Sequence, residues 1–145
     1  MSSELTLGDD PAEVPRLNAW LDELFARDGF VDQVGEDMKL CINEAVCNIM
    51  LYGFADQSAP VIRVALDLGR TIAKGEVSDN GAEFNPLEQS TTAKYTDIES
   101  AEPGGFGVQL IRETASQVGY RRDGEWNRLS IVCGRPVSEA GGTEG

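Results

Sequence analysis

Apolar residues recur along this chain at two spacings, and the two spacings predict different elements. Between Pro11 and Gly29 they recur every three or four residues, which predicts a first helix with one buried stripe. From Lys39 to Phe54 they cover most of the helical circumference, which predicts a second helix buried on most sides. A third helix is predicted from Val108 to Gln117.

Alternation of apolar and polar residues predicts the strands, weakly from Ser2 to Gly8. The other predicted strands run from Pro60 to Leu68, Thr71 to Asp79, Val118 to Arg122 and Arg128 to Cys133. Short turns join the second strand to the third and the fourth to the fifth, which indicates two antiparallel hairpins. Hairpins interleaved with helices predict an α+β fold. We expect a two-layer sandwich, with a mixed, mostly antiparallel sheet covered on one face by helices.

Length and composition narrow the class of protein. The chain has 145 residues, the length of one domain, and we assign residues 1–135 to that domain and residues 136–145 to a flexible tail. The formal net charge of -13 argues against nucleic acid and against an anionic membrane surface as partners. Three cysteines without a histidine or a CxxC motif argue against a disulfide scaffold or zinc site. With no signal peptide or apolar span, we expect a cytoplasmic protein.

Three polar or glycine-rich features interrupt the predicted core. Glu44 and Asn48 lie one turn apart on the inner face of the second helix, where a carboxylate and an amide are costly to bury unless something bonds them. Asp79 ends a strand on the side that faces the helices, and Asn80-Gly81 follows as a turn. Gly104 to Gly107 precede the third helix, whose free N–H groups favour an anion. Each feature alone is common as ordinary structure, but together they favour a nucleotide site.

The chemistry of these residues suits a nucleoside triphosphate. An Asn48 carbonyl oxygen can ligand Mg²⁺, which takes its remaining ligands from water and phosphate. The carboxylate of Asp79 is an acceptor for the amino group of a purine. Glu44 lies one turn from the metal ligand and can take a proton from an attacking hydroxyl or water.

The motifs resemble a known superfamily. Glu-x-x-x-Asn at Glu44 to Asn48, Asp-x-Gly at Asp79 to Gly81 and the glycines at Gly104 to Gly107 resemble the N, G1 and G2 boxes of the GHKL ATP-binding superfamily. The segments NEAVCN, DNGAEFNP, GGFGVQLIRETAS and NRLSI are similar to those of bacterial anti-sigma-factor serine/threonine kinases, the switch-protein kinases. The resemblance extends from Ala12 to Cys133 and implies the Bergerat, or histidine-kinase-like ATPase, fold.

The resemblance implies a role for each matched position. Glu44 is implied as the general base, Asn48 as the ligand of Mg²⁺, and Asp79 as the partner of the adenine amino group. Gly81 is implied to let the base pack close. The other implied contacts of ATP are Gly104, Gly105, Phe106, Gly107 and Asn127.

The resemblance also implies a function. It implies an ATP-dependent serine/threonine protein kinase that acts as an anti-sigma factor, with a STAS-domain antagonist as substrate, a sigma factor or similar regulator as second partner, and a homodimer as one assembly. Two alternatives stay open: a nucleotide-gated binding module with little or no phosphotransfer, and a detached histidine-kinase catalytic domain. The first is motivated by Glu102-Pro103, where some relatives carry an arginine for the terminal phosphate. Lys94 and Arg112 are the candidate replacements.

Overall fold

A computed structural model describes residues 2–53, 59–88 and 105–135, with the backbone alone at Tyr52, Gly105 and Phe106. Phe54, Lys94, Gly104 and the predicted tail at 136–145 lie outside the described residues.

Five strands form one sheet in the order β1-β2-β3-β5-β4. The strands are β1 Ser2–Leu7, β2 Ile62–Leu68, β3 Ile72–Asp79, β4 Gln117–Asp123 and β5 Trp126–Gly134. All four pairings are antiparallel. The described sheet is therefore fully antiparallel, whereas we expected a mixed, mostly antiparallel one. Each predicted strand is found, which confirms the α+β assignment.

Three helices cover one face of the sheet. They are α1 Val14–Asp28, α2 Gln33–Tyr52 and α3 Gly105–Thr114, and short 3-10 turns lie at Pro11–Glu13 and Pro86–Glu88. A side chain at Gly75, in the central strand β3, would lie within 3.2 Å of Met38 and Ile42 of α2. That glycine therefore lets α2 lie close against the middle of the sheet, in the expected two-layer arrangement.

The second helix differs from its prediction in two ways. It begins at Gln33 rather than Lys39, because the Asp32 side chain caps it by accepting a 3.2 Å hydrogen bond from the Gly35 amide. It is not buried on most sides, since the side chains of Leu40 and Leu51 are 37% and 61% exposed. Both leucines lie on the side of α2 that faces away from the sheet.

The third helix also starts earlier than predicted. Gly105 and Gly107 lie in its first turn rather than before it, and it ends at Thr114 rather than Gln117. The chain leaves the helix because Ser116 bonds β5 instead, with its amide 2.7 Å from the Val132 carbonyl oxygen and its hydroxyl 2.8 Å from that of Gly134. The spacing of apolar residues alone cannot show that bonds from Ser116 to β5 end the helix. No helix in the described segments is long and apolar enough to cross a bilayer.

Candidate functional site

A cavity of about 280 Å³ lies between α2, the adjoining ends of β3 and β5, and α3. Its volume is close to the lower limit of ligand pockets, which is ~300 Å³. The polar side chains in its wall include Glu44, Asn48, Asp79 and Asn127. The fold thus brings Glu44 and Asn48 of α2, Asp79 at the end of β3 and Asn127 of β5 to one cavity. Its apolar walls suit a flat heterocycle, and they include Ile49, Val77, Phe84, Val108, Ile111 and Leu129.

Glu44 and Asn48 face this cavity from α2 and are half-buried. Neither side chain makes a hydrogen bond to any residue within 2–53, 59–88 or 105–135. Their neighbour Asn43 differs, because its amide is bonded to Asn18 and to the Lys39 carbonyl oxygen. The inner pair on α2 is therefore available to a ligand.

The start of α3 lies directly against Glu44. A Cβ at Gly107 would lie 2.7 Å from Oε1 of Glu44, which is shorter than any ordinary contact. The absence of a side chain there lets the N-terminal turn of α3 approach the carboxylate. Of the predicted glycine cluster, Gly107 is thus placed beside the cavity, whereas Gly105 and Phe106 are described by backbone alone and Gly104 is not described.

Asp79 is 6% exposed and points into the cavity from the end of β3. Its Oδ1 accepts hydrogen bonds from the Gly81 amide at 2.9 Å and from Nδ2 of Asn127 at 3.0 Å. Burial raises the pKa of the Asp79 carboxyl, while the bonds from Asn127 and Gly81 and the charge of Arg122 oppose that rise. Both bonds within the described structure go to Oδ1, so Oδ2 is the oxygen left for a ligand.

Asn127 is more deeply engaged than the sequence suggested. Its Oδ1 accepts hydrogen bonds from the Phe84 amide, the Tyr120 hydroxyl and Nη1 of Arg122. Sequence reasoning missed Tyr120 and Arg122 altogether. The alternation of β4 contained the signal, because both residues share the face of Val118, which packs against the core.

Gly81 is buried beside the C-terminal end of α2. A Cβ there would lie 2.2 Å from the Gly53 carbonyl oxygen and 3.0 Å from Oδ1 of Asp79. The glycine therefore allows the turn after β3 to touch the helix end. This close approach exists without any bound base.

The candidate cations are not in the described cavity wall. Lys94 lies outside the described residues, and the exposed Arg112 donates a hydrogen bond to the Leu87 carbonyl oxygen at the cavity edge. Glu44, Asp79 and Glu83 give the wall a negative charge, and none of its described residues is a lysine or arginine. A triphosphate would need a counter-charge from a metal ion or from outside this wall.

The donor set fits magnesium better than a metal held by protein alone. The described residues contain no group of three or more His, Cys, Asp or Glu side chains that could hold a metal ion. Asn48 offers a neutral amide oxygen with no bond to the rest of the described structure, which suits an ion that takes most of its oxygens from phosphates and water. The free oxygens of Glu44 and Asp79 and the apolar walls likewise fit a nucleotide.

Comparison with known proteins places this geometry in a family. The profile of the histidine kinase-like ATPase domain matches residues 7–133. The chain is 28% identical over 113 residues to the serine/threonine-protein kinase BtrW of Bordetella bronchiseptica, covering 78% of this chain and 80% of that protein. It is 27% identical over 123 residues to the serine-protein kinase RsbW of Listeria innocua, covering 82% and 76%. It is 24% identical over 75 residues to the anti-sigma F factor of Clostridium novyi, covering 52% of each.

Solved structures show the same fold. The structure of the RsbU and RsbW domains of Rv1364c from Mycobacterium tuberculosis matches with a TM-score of 0.65 and 18% identity, covering 94% of this chain and 33% of that one. The histidine kinase domain from Erythrobacter litoralis EL346 blue-light activated histidine kinase matches with a TM-score of 0.51 and 15% identity, covering 70% and 45%. The resemblance drawn from the three sequence boxes is confirmed. Because the profile matches residues 7–133, most of the chain and every described wall of the cavity, the chain belongs to the histidine kinase-like ATPase domain family.

Proposed function

We propose that this protein is an ATP- and Mg²⁺-dependent serine/threonine protein kinase that acts in partner switching. The observation that carries the proposal is the pair Glu44 and Asn48, one turn apart on α2 and without bonds to the described structure, facing the cavity that also contains Asp79. Kinases and anti-sigma factors among the relatives support the same assignment.

In this proposal Asp79, Asn48 and Glu44 each have one task. Oδ2 of Asp79 accepts a hydrogen bond from the adenine amino group while apolar side chains contact the ring. The amide oxygen of Asn48 holds Mg²⁺, and Gly107 with Gly104, Gly105 and Phe106 surrounds the phosphates. Glu44 accepts the proton of a serine or threonine hydroxyl as that oxygen attacks. When bound, ATP with Mg²⁺ supplies the phosphoryl group and neutralises the charge that develops on it.

The proposed partners follow from the relatives. The substrate is a STAS-domain antagonist protein, and the second partner is a sigma factor or similar regulator. The name of the Clostridium relative, an anti-sigma F factor, supports the second partner. We place the protein in the cytoplasm, with residues 1–135 as its single domain and 136–145 as a tail, and a homodimer as the assembly to test.

A second candidate function is a nucleotide-gated binding module that transfers little or no phosphate. It is favoured by the acidic cavity wall, where the described part of the site offers no lysine or arginine to the terminal phosphate. Charge stabilisation is the largest contribution in phosphoryl transfer, so without such a cation the rate would be low.

Phosphotransfer from radiolabelled ATP with Mg²⁺ to purified STAS-domain antagonist proteins tests the proposal. The wild-type protein should give acid-stable phosphoserine or phosphothreonine. Glu44→Ala should keep ATP binding and lower transfer by ~10²–10⁴-fold, the usual contribution of a general base. Glu36→Ala is the matched control, because Glu36 is exposed on the first turn of the same helix.

Each other result has a definite meaning. Unchanged transfer in Glu44→Ala would remove Glu44 as the base. Tight ATP binding without transfer by the wild-type protein would favour the binding module. Acid-labile transfer to a histidine of a partner would favour a detached histidine-kinase domain.

A further inference from the structure

The hydrogen bonds of Asn127 fix which way its amide points. The Phe84 amide lies 3.1 Å from Asn127 Oδ1 and Nη1 of Arg122 lies 3.2 Å from it. A backbone N–H and a guanidinium only donate, so the atom that faces them must be the amide oxygen. The amide nitrogen therefore faces the other way, toward Oδ1 of Asp79 at 3.0 Å and the Ala82 carbonyl oxygen at 2.9 Å.

These contacts use the whole hydrogen-bonding capacity of the Asn127 side chain. Both amide hydrogens have acceptors, and the oxygen accepts from three groups, the third being the Tyr120 hydroxyl at 2.6 Å. A nucleotide could bond Asn127 directly only by displacing one of these groups. The effect of Asn127 on a ligand thus passes through Asp79, its acceptor in the cavity.

Arg122 links the Asn127 amide to two neighbouring turns through hydrogen bonds to backbone carbonyl oxygens. Its Nη1 also lies 3.0 Å from the Gly81 carbonyl oxygen, and its Nε lies 2.9 Å from that of Gly124. The guanidinium thus joins the turn after β3, the hairpin between β4 and β5, and Asn127. Its positive charge also acts on Asp79 and opposes the effect of burial on the pKa of that carboxyl.

We propose that Arg122 and Tyr120 are positioning residues that act through Asn127 to hold the Asp79 carboxylate as a fixed acceptor, and that this arrangement makes the site select a purine with a 6-amino group over one with a 6-oxo group. The inference rests on the proposed binding of ATP at this cavity. It assigns to Asn127 a supporting role in place of the direct nucleotide contact implied by the resemblance.

The selectivity follows from the chemistry of the two bases. A 6-amino group donates a hydrogen bond to a carboxylate, whereas a 6-oxo group presents a second acceptor and is repelled. If Arg122 is lost, Asn127 Oδ1 loses one of its three donors and the Gly81 carbonyl oxygen loses its bond to the guanidinium, so the amide holds Oδ1 of Asp79 less firmly. The buried carboxyl is then more readily protonated, and a protonated carboxyl can donate to a 6-oxo group. Affinity for the wrong base rises while affinity for the right one falls.

Binding of ATP and inosine triphosphate, both with Mg²⁺, measured by titration calorimetry on the full chain tests this. For Arg122→Gln we expect the ratio of ATP to inosine triphosphate affinity to fall about tenfold, as for loss of one charge-assisted hydrogen bond. Tyr120→Phe removes a single hydroxyl with little change in volume and should lower the ratio by a smaller factor. Arg121→Gln is the control, because Arg121 lies next to Arg122 but points outward to Glu76.

The ratio separates a positioning role from a merely structural one. General loosening of the fold would weaken both nucleotides equally and leave the ratio unchanged, which would overturn the inference. A ratio that falls as far in Arg121→Gln would overturn it too. If Arg122→Gln does not fold, Tyr120→Phe decides alone. A wild-type protein that binds no ATP would refute the proposed function, whereas wild-type selectivity for ATP that neither variant changes would refute only this inference.

Discussion

Replacing Gly81 with alanine separates two explanations of the glycine after Asp79. The resemblance assigns Gly81 to the base, which would pack close to it, whereas the structure places the Gly53 carbonyl oxygen 2.2 Å from the position of a Cβ. If the helix contact is the reason for the glycine, the substitution destabilises the protein with no nucleotide present. If only the base requires it, stability without nucleotide is unchanged and only ATP affinity falls.

The magnitude follows from the geometry. An ordinary contact would need the turn or the helix end to move by more than 1 Å, since ordinary Cβ contacts begin near 3.4 Å and this one is 2.2 Å. The neighbour is backbone and cannot rotate away, so the cost lies toward the upper end of the ~1–3 kcal/mol range for overpacking. A smaller entropy gain in the unfolded chain, ~0.4–1 kcal/mol, offsets part of it. We expect Gly81→Ala to lower the free energy of unfolding by ~2 kcal/mol.

Urea unfolding without nucleotide measures this difference. With a slope of ~2 kcal/mol per molar, the midpoint should fall by ~1 M. Gly69→Ala is the matched control, since its Cβ would lie 3.5 Å from the Ile72 carbonyl oxygen in a turn of ordinary backbone angles. It should be neutral or slightly stabilising. Equal midpoints for wild type and Gly81→Ala would refute the helix-contact explanation.

Four further predictions concern the cavity. Asp79→Asn should weaken ATP binding by ~10–100-fold in titration calorimetry, because a charge-assisted hydrogen bond is lost; wild-type affinity would show the contact is misplaced. ATP affinity should fall on acidification with a midpoint above the ordinary pKa of Asp, since burial raises the pKa of Asp79 beside Arg122, Tyr120, Glu83 and Glu44. The raised pKa also predicts that the free energy of unfolding without nucleotide falls as pH rises from the ordinary pKa of Asp to the higher pKa of folded Asp79, because the folded state holds its proton longer than the unfolded chain does. Urea midpoints measured across this pH range would show the fall. Gly107→Ala should reduce transfer more than ATP binding, because its Cβ displaces the carboxylate of Glu44.

The sequence was informative where local pattern and chemistry agree. Alternation placed Asp79 on the covered face of β3 and Asn127 on that of β5, because side chains in a strand take opposite sides in turn. Helical spacing placed Glu44 and Asn48 on one side of α2. The order of elements predicted the α+β sandwich, and three weak boxes in the right order predicted the family.

Element limits and exposure depended on contacts that local pattern does not contain. The capping bond of Asp32 starts α2 before the apolar residues begin, and the bonds of Ser116 to β5 end α3 early. Leu51 lies on the outward side of α2, which the apolar sequence of the helix does not indicate.

The amino-acid sequence by itself determined the fold class and pointed to Glu44, Asn48 and Asp79, because these depend on periodicity and on residue type at fixed spacing, while the family and Asn127 followed from the resemblance of its motifs. Only the tertiary structure decided what each of them touches. It left Glu44 and Asn48 free of bonds within the described chain, and it enclosed Asn127 among donors from β4 and the turn after β3. Those contacts join residues up to 48 positions apart, as between Asp79 and Asn127, so only the packed chain brings them within hydrogen-bond distance.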